Sequence, residues 1–464
     1  MKTKILSACL TCMILFSTAF AAPSPSPSAS PKPTPTAASA PANESEASEE
    51  KQNTFPEPHS EAAILIDRKS GDILYSKNKD KQLYPASTTK IMTAVLALEK
   101  GTLTDSVTAS NEAIDPITNN HSHMGIKVGE TLTLEQLLYG MMVYSANDAA
   151  NVIAVHIGGS LNAFSDMMNQ KAAELGLTGT KYLNAHGYHE DGHFTTAQDL
   201  ATLTKYAMQN EKFCEIVGTG MYRIPANDKY TQERVLSTTN HLISRYRNTK
   251  YLYKYAIGVK TGFTDEAGNC LVAAATKGDI ELISVILKAE SSEDGTLYAF
   301  ADTTELYKYA FENYQYCKVA STDVVVSDSA VYEAKGGTRV ALSPEKTIEK
   351  LMPKSADLSE ITPEITLAEK IKAPIHKGDV LGSVTYTYQG QVLGTTNLVA
   401  DNDVEHDKIL AIIHFFTNIL TSPFFIIPAL ILIYLILRAR HRRNLRRKKR
   451  RSRLKYANQS TRKR

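Results

Sequence analysis

Cysteine is scarce in this chain, and its spacing excludes two kinds of architecture. Of five in 464 residues, Cys9 and Cys12 lie in an N-terminal apolar segment, leaving Cys214, Cys270 and Cys317. Three widely spaced thiols with no Cys-x-x-Cys pair among them make neither a disulfide framework nor a cysteine-based zinc site, so free buried thiols are expected. Cys270 has no histidine beside it in sequence to activate it as a second nucleophile. A Gly-rich phosphate loop and a cofactor motif are also missing, and any enzyme here is expected to be a hydrolase without a cofactor. The C-terminal region combines a lack of acidic residues with many basic ones. From Arg438 onward there are 15 Lys and Arg and no Asp or Glu, leaving 37 of the 52 basic residues against 49 acidic ones, a net of −12 in a chain whose formal charge is +3.

The length exceeds one ordinary domain, and 43% hydrophobic content is enough for a sizeable core. Lys2 and Lys4 precede an apolar run, and Ala19-Phe20-Ala21 supplies the small residues a signal peptidase reads, so residues 1–21 are expected to be a signal peptide. Residues 22–57 alternate proline with serine, threonine and alanine and then turn acidic, a composition with little apolar surface to bury and hence a spacer. At the other end, residues 409–437 are uncharged apart from His414, longer than the ~20 residues that span a bilayer, and followed at once by Arg438. They read as a single-pass membrane anchor, with residues 438–464 as a basic cytoplasmic tail and the remainder outside the cell. Pro423 is expected to separate an interfacial first part from the span itself. Beside a membrane the basic run reads as attraction to anionic lipid, with no nucleic-acid partner.

Between these ends, residues 62–66 and 72–75 read as a strand pair, and so do residues 270–275 and 280–289. From Leu134 to about Val217 the apolar residues, for example Leu134, Leu137, Leu138, Met141 and Met142, recur at helical spacing. An antiparallel sheet built from both ends of residues 58–316, with helices between, is an α+β arrangement. Short strands at residues 319–326, 339–342, 380–388 and 391–398 predict a small all-β domain over residues 317–402, with no constellation that carries chemistry.

Chemistry is concentrated at Pro85-Ala86-Ser87-Thr88-Thr89-Lys90-Ile91-Met92. Ser87 and Lys90 are three apart at a helix start, so both side chains share one face of its first turn. That gives a serine a lysine able to take its proton, beside backbone N–H groups that favour negative charge. Alone the pair is weak, but Ser145-Ala146-Asn147 opens a second helical run and Lys260-Thr261-Gly262 precedes an apolar strand. Ser-x-x-Lys, Ser-Asp-Asn and Lys-Thr-Gly are together the marks of penicillin-binding proteins and class A β-lactamases, and here Ala146 stands at the middle position of the second, where some relatives have aspartate or glycine and which carries no chemistry of its own.

With Met124-Gly125-Ile126-Lys127-Val128-Gly129-Glu130, with Tyr144-Ser145-Ala146-Asn147-Asp148-Ala149-Ala150 and with Gly258-Val259-Lys260-Thr261-Gly262-Phe263-Thr264, the chain resembles the serine D-alanyl-D-alanine carboxypeptidases. These are the low-molecular-mass penicillin-binding proteins. The resemblance covers roughly residues 62–316 and implies the transpeptidase fold they share with β-lactamases, followed by a small all-β domain and a C-terminal transmembrane helix. It implies that Ser87 attacks the penultimate D-alanine of a peptidoglycan stem peptide, with Lys90 as base and Ser145 relaying the proton to the leaving amine. By the same resemblance, Asn147, Lys260, Thr261 and Gly262 hold the substrate, and the backbone N–H groups of Ser87 and Phe263 form the oxyanion hole. β-Lactams are the implied inhibitors and cell-wall maturation the implied setting.

The alternatives are a D,D-endopeptidase, a β-lactamase, and a catalytically idle wall-binding module. A class A β-lactamase places a glutamate four residues before an asparagine; here Thr180 precedes Asn184. His186, His189 and His193 could bind zinc, but Gly187 and Gly192 place them on a loop, and the expectation is a structural loop with no metal.

Overall fold

The computed structural model describes residues 54–118, 120–290 and 292–461, with side chains as far as Arg453; the signal peptide and most of the spacer expected upstream lie outside the described residues. A five-stranded antiparallel sheet runs through the first domain. Its strands are β1 (Ser60–Asp67), β2 (Ile73–Lys77), β3 (Ala256–Thr264), β4 (Gly268–Lys277) and β5 (Ile280–Ala289), in the order β2-β1-β5-β4-β3. Strands from both ends of the domain therefore meet in one sheet, as the α+β expectation requires.

Both faces of this sheet are covered. Along β1, Ala62, Ile64 and Ile66 join one hydrophobic cluster while Ala63 and Leu65 join another. Successive side chains point to opposite faces, so strands buried on both sides read as continuous apolar runs without polar alternation. One face packs against α1 (Lys90–Lys100), α2 (Leu134–Val143), α3 (Asn147–Gly158), α4 (Leu161–Glu174), α5 (Ala197–Ala207) and α6 (Glu211–Val217). The other is covered by α7 (Tyr298–Asn313) through Leu306, Tyr307, Ala310 and Phe311.

The helical run expected from Leu134 to about Val217 is thus five helices. Between α4 and α5 it is interrupted by irregular chain, where Gly176, Gly187 and Gly192 all have positive φ. Capping divides the rest: Thr133 and Gln136 close a reciprocal box at the start of α2, with Thr133 Oγ1 accepting from Gln136 N at 3.1 Å and Thr133 N donating to Gln136 Oε1 at 2.9 Å.

The β domain follows through β6 (Tyr314–Ala320), which pairs with β9 (Ile348–Pro353). The boundary expected after residue 316 falls inside β6, and the strand expected over residues 319–326 ends at Ala320. A second sheet joins β7 (Ser327–Ala330), β8 (Arg339–Pro344), β10 (Thr362–Leu367), β11 (Val380–Tyr388) and β12 (Gln391–Ala400) in the order β7-β8-β12-β11-β10. Lys350 reaches back to Asp72 at 2.7 Å, and Tyr316 donates to the buried Asp67 carboxylate at 2.6 Å, tying this domain to the β1–β2 turn.

Two helices end the chain. α8 (Lys408–Thr421) is capped by Asp407, whose carboxylate accepts from Ile409 N and Leu410 N, and it stops at Ser422, immediately before Pro423. α9 (Pro423–Thr461) contains a stretch long and apolar enough to cross a membrane.

Candidate active site

Ser87 does not lie on the first turn of an α-helix. Ala86–Thr89 forms a 3₁₀ turn and Lys90 begins α1, because Ala86 is held at φ +46° and Thr88 bonds back to the Pro85 carbonyl through its N–H at 3.2 Å and its hydroxyl at 2.7 Å. The tighter turn preserves the expected juxtaposition, since residues three apart are eclipsed in a 3₁₀ helix. Lys90 Nζ lies 2.7 Å from Ser87 Oγ.

Lys90 is fully buried, and its amine has two further partners: it donates to Asn147 Oδ1 at 2.6 Å and to the His186 carbonyl at 2.9 Å. A neutral amine has two N–H donors and one lone pair. Two acceptors and one hydroxyl match that inventory, leaving the lone pair for the serine proton. Burial holds the Lys90 ammonium well below the usual lysine range, and the nearby Lys260 charge adds to the effect, against a partial opposing pull from Asp148. Lys260 is itself buried and pushed down to about 7 by that burial; its Nζ donates to the Thr261 carbonyl at 2.9 Å.

Ser145 sits in the turn between α2 and α3 with φ +68°, and Asn147 is the first residue of α3. β3 is an edge strand of the sheet and brings Lys260, Thr261, Gly262 and Phe263 alongside the Ser87 turn. Gly262 eases that approach: a Cβ there would stand 3.0 Å from the Pro85 carbonyl oxygen and 3.1 Å from Ser87 N, so the turn would have to give by a few tenths of an ångström. The turn bearing Ser87 takes the space that the missing side chain leaves. Phe263 is 61% exposed and its side chain stands at the mouth. Ser87 thus opens onto two cavities. One, of about 370 Å³, is lined by Ser145, Thr239, Thr261, Phe263 and Phe300; the other, of about 610 Å³, by Asn147, Gly187, Tyr188, Phe263 and Glu266.

Several residues that hold this arrangement carry no sequence motif. Asp148 is buried, and its carboxylate accepts from Ile126 N and Ala149 N, each at 2.9 Å, and from Met124 N at 3.2 Å, pinning the 122–126 loop against the start of α3. A buried bidentate pair, Arg234 with Glu130 at 2.7 and 2.9 Å, holds the same loop through Arg234 Nε to the Met124 carbonyl at 3.0 Å. Thr239 Oγ1 lies 2.6 Å from Thr261 Oγ1. Asn184 Oδ1 accepts from Gly187 N at 2.7 Å, which sets the loop whose His186 carbonyl meets Lys90.

Gly187 has φ +79°, and a Cβ there would lie 1.8 Å from the Ala86 carbonyl oxygen, so a side chain is excluded on two grounds. In letters, His189-Glu190-Asp191-Gly192-His193 has the spacing of the helical zinc motif. That motif needs both imidazoles on one helix face, but this run is irregular chain with Gly192 at φ +93°. His193 is buried, with Nε2 2.9 Å from Thr89 Oγ1 and Nδ1 accepting from Leu183 N at 3.4 Å; burial pushes it down to about 4. His186 is held well below its usual range by burial and by Lys90. Among the described residues no group of three or more His, Cys, Asp or Glu is placed to hold a metal ion. Cys270 is buried, which pushes its thiol up to about 11 and away from nucleophilic use at neutral pH. Thr180 spends its hydroxyl on Asp199 at 2.6 Å.

Residues 48–291 match the model of peptidase family S11, D-alanyl-D-alanine carboxypeptidase, and residues 314–406 match that of the penicillin-binding protein 5 C-terminal domain. The chain is 32% identical over 365 residues to D-alanyl-D-alanine carboxypeptidase DacF of Bacillus subtilis, covering 77% of this chain and 90% of the relative. It is 30% identical to DacC of Escherichia coli, covering 75% and 85%. The crystal structure of penicillin binding protein 5 from Haemophilus influenzae aligns with a TM-score of 0.62 at 28% identity, covering 76% of this chain and 99% of that one.

Proposed function

Because the chain belongs to the D-alanyl-D-alanine carboxypeptidase family S11, a family of serine hydrolases, we propose that it removes the terminal D-alanine from peptidoglycan pentapeptides through an acyl-enzyme on Ser87. The observation that carries this reading is the buried Lys90 amine, 2.7 Å from Ser87 Oγ and held below the usual lysine range by burial.

In the proposed reaction Lys90 Nζ takes the Ser87 proton as Oγ bonds to the carbonyl carbon of the penultimate D-alanine. The backbone N–H groups of Ser87 and Phe263 receive the oxyanion, each such donor contributing about 10²–10³ in rate. Collapse of the tetrahedral intermediate breaks the C–N bond. Ser145, on the wall of the cavity that Ser87 also lines, passes a proton to the departing D-alanine amine. Water then cleaves the ester. Asn147 orients Lys90 and the substrate backbone, while Lys260 and Thr261 take the terminal carboxylate as the peptide adds to the β3 edge. β-Lactams acylate the same serine, and with Thr180 spent on Asp199 no carboxylate stands at that position to hasten deacylation.

Residues 1–21 direct export, residues 22–57 form a spacer, residues 58–316 carry catalysis, and the domain of residues 317–402 stands between catalysis and bilayer. α9 anchors the protein in the cell membrane with its basic end in the cytoplasm, and α8 lies at the interface. The measurement that tests this is D-alanine release from an acyl-D-Ala-D-Ala peptide by detergent-solubilised protein. Release by the wild type and loss in Ser87→Ala support the reading; equal release by both overturns it.

A further inference from the structure

We propose that α8 is a rigid extension of the β domain, latched by His414 against Tyr332 and Glu333, and that through it this domain is seated on the lipid surface in one orientation. The second part rests on the reading of α8 as interfacial.

The chain between β12 and α8 is tied down along its length. Val404 exchanges both backbone hydrogen bonds with Ile375, at 2.9 and 3.0 Å, the Glu405 carbonyl accepts from Lys335 N at 2.9 Å, and Asp407 N donates to the Glu333 carbonyl at 2.8 Å. Asp407 in turn caps α8, so the helix starts from a fixed point on the domain. A second anchor lies two turns on, about 10 Å along the axis. There the His414 ring stacks on Tyr332, with centroids 4.4 Å apart and planes at 14°. Its Nδ1, shut off from solvent and without a hydrogen bond, faces Glu333 Oε1 at 3.7 Å. Two separated anchors set the direction of a helix, where a cap alone would leave it free to swing.

The receiving residues are themselves held. Glu333 is buried at φ +58°, with Lys372 Nζ at 3.0 Å and His406 Nε2 at 3.2 Å from its carboxylate. A non-glycine residue in that conformation persists only where its surroundings over-determine it. Tyr332 is bonded through its backbone to Ile371 and Ala373, and Lys370 Nζ stands 3.5 Å from its ring centroid.

The two faces of α8 divide accordingly. His414 is the one basic residue between Lys408 and Arg438, and it is turned toward protein. Within α8 only Leu410, Ala411 and His414 are half-buried, and their spacing puts them on one face. Ile409, Ile412, Ile413, Phe416, Ile419 and Leu420 are exposed and centre on the opposite face. One face takes the domain and the other fits hydrocarbon, which holds the β domain about one helix diameter, roughly 10 Å, from the apolar layer.

The test uses the full chain with Cys214→Ser in lipid nanodiscs, spin-labelled at Val392→Cys in the β domain and Asn418→Cys in α8, both exposed positions. Double electron–electron resonance reads the distance between the labels. A single narrow distribution is expected; it should broaden in His414→Ala and stay narrow in His414→Phe, which keeps the ring stack, and in Phe416→Ala on the opposite face. A broad distribution before any of these three substitutions, a narrow one that survives His414→Ala, or equal broadening in all three variants overturns the latch. A label at Ile412→Cys is expected to meet oxygen dissolved in lipid and to be shielded from a water-soluble nickel reagent. The reverse, with the narrow distance intact, overturns the interfacial reading and with it the seating on lipid.

Discussion

Asn147 Oδ1 and the His186 carbonyl, contributed by two distant parts of the chain, both accept hydrogen bonds from Lys90, at 2.6 and 2.9 Å. Together they orient the amine so that its remaining position meets Ser87 Oγ at 2.7 Å. The proposed base is therefore positioned by three elements: the turn that carries Ser87, the start of α3, and the irregular chain between α4 and α5.

Lys90→Arg keeps a basic side chain of similar reach but introduces a guanidinium that does not give up its proton, where the Lys90 amine is held toward its neutral form. Acylation by penicillin G, followed by intact mass, is expected to slow by about 10²–10⁴, the usual contribution of a general base. A rate within threefold of the wild type would remove Lys90 from that role.

The pH profile has a stated direction. With Lys90 as the proposed base, acylation needs its neutral form, so the rate is expected to fall as pH drops and the amine takes a proton. Lys260→Gln removes one of the two causes that hold Lys90 down while burial, the larger, remains, so the acid limb should move to higher pH without reaching the ordinary lysine value. Stability follows the same protons. Lys260 binds its proton more weakly folded, near 7, than unfolded, near 10.5. The unfolded chain therefore holds more protons across that window, and its contribution to stability rises with pH from about 7 toward 10.5. Melting temperature against pH for wild type and Lys260→Gln is the check: the wild type should show the steeper rise.

Gly187→Ala and Gly159→Ala separate backbone conformation from contact. Both glycines have φ +79°, but a Cβ at Gly187 meets the Ala86 carbonyl at 1.8 Å, while nothing lies within 4 Å of one at Gly159. Chemical denaturation is expected to show a loss of about 1 kcal/mol at Gly159. At Gly187 at least 3 kcal/mol should be lost, with acylation impaired because the Ser87 turn must move. Equal losses would mean that the close approach of the two segments is relaxed in solution.

The juxtaposition of Ser87 and Lys90 was legible because residues three apart share one face of a turn, a spacing that survives the change from α to 3₁₀ geometry. The central strands were legible as apolar runs, since Ala62 to Ile66 alternate between two buried faces. Asn184, Thr239 and the His186 carbonyl were not. They act through backbone groups or across long sequence separations, and no local pattern marks them. Asp148 did leave a signal, an acidic residue in the first turn of α3 beside Asn147, yet its partners Met124 and Ile126 lie on another segment. β6 was displaced because residues 314–316, which carry two tyrosines, continue from α7 without a break in apolar content.

Arg234 and Glu130 test how the 122–126 loop is held. Both side chains are nearly inaccessible, so Arg234→Met leaves a buried carboxylate without its partner and frees the Met124 carbonyl. A loss of about 3–5 kcal/mol is expected by denaturant titration. The double replacement Arg234→Met, Glu130→Leu should recover a large part of it; no recovery would assign the loss to packing and not to charge.

The most direct measurement is the intact mass of detergent-solubilised wild type and Ser87→Ala during incubation with penicillin G. The account predicts a long-lived adduct of one drug molecule on the wild type, mapped to Ser87, and none on the variant. A persistent adduct on Ser87→Ala, or no adduct on folded wild type, would contradict it; rapid drug turnover without a lasting adduct would instead make the protein a β-lactamase.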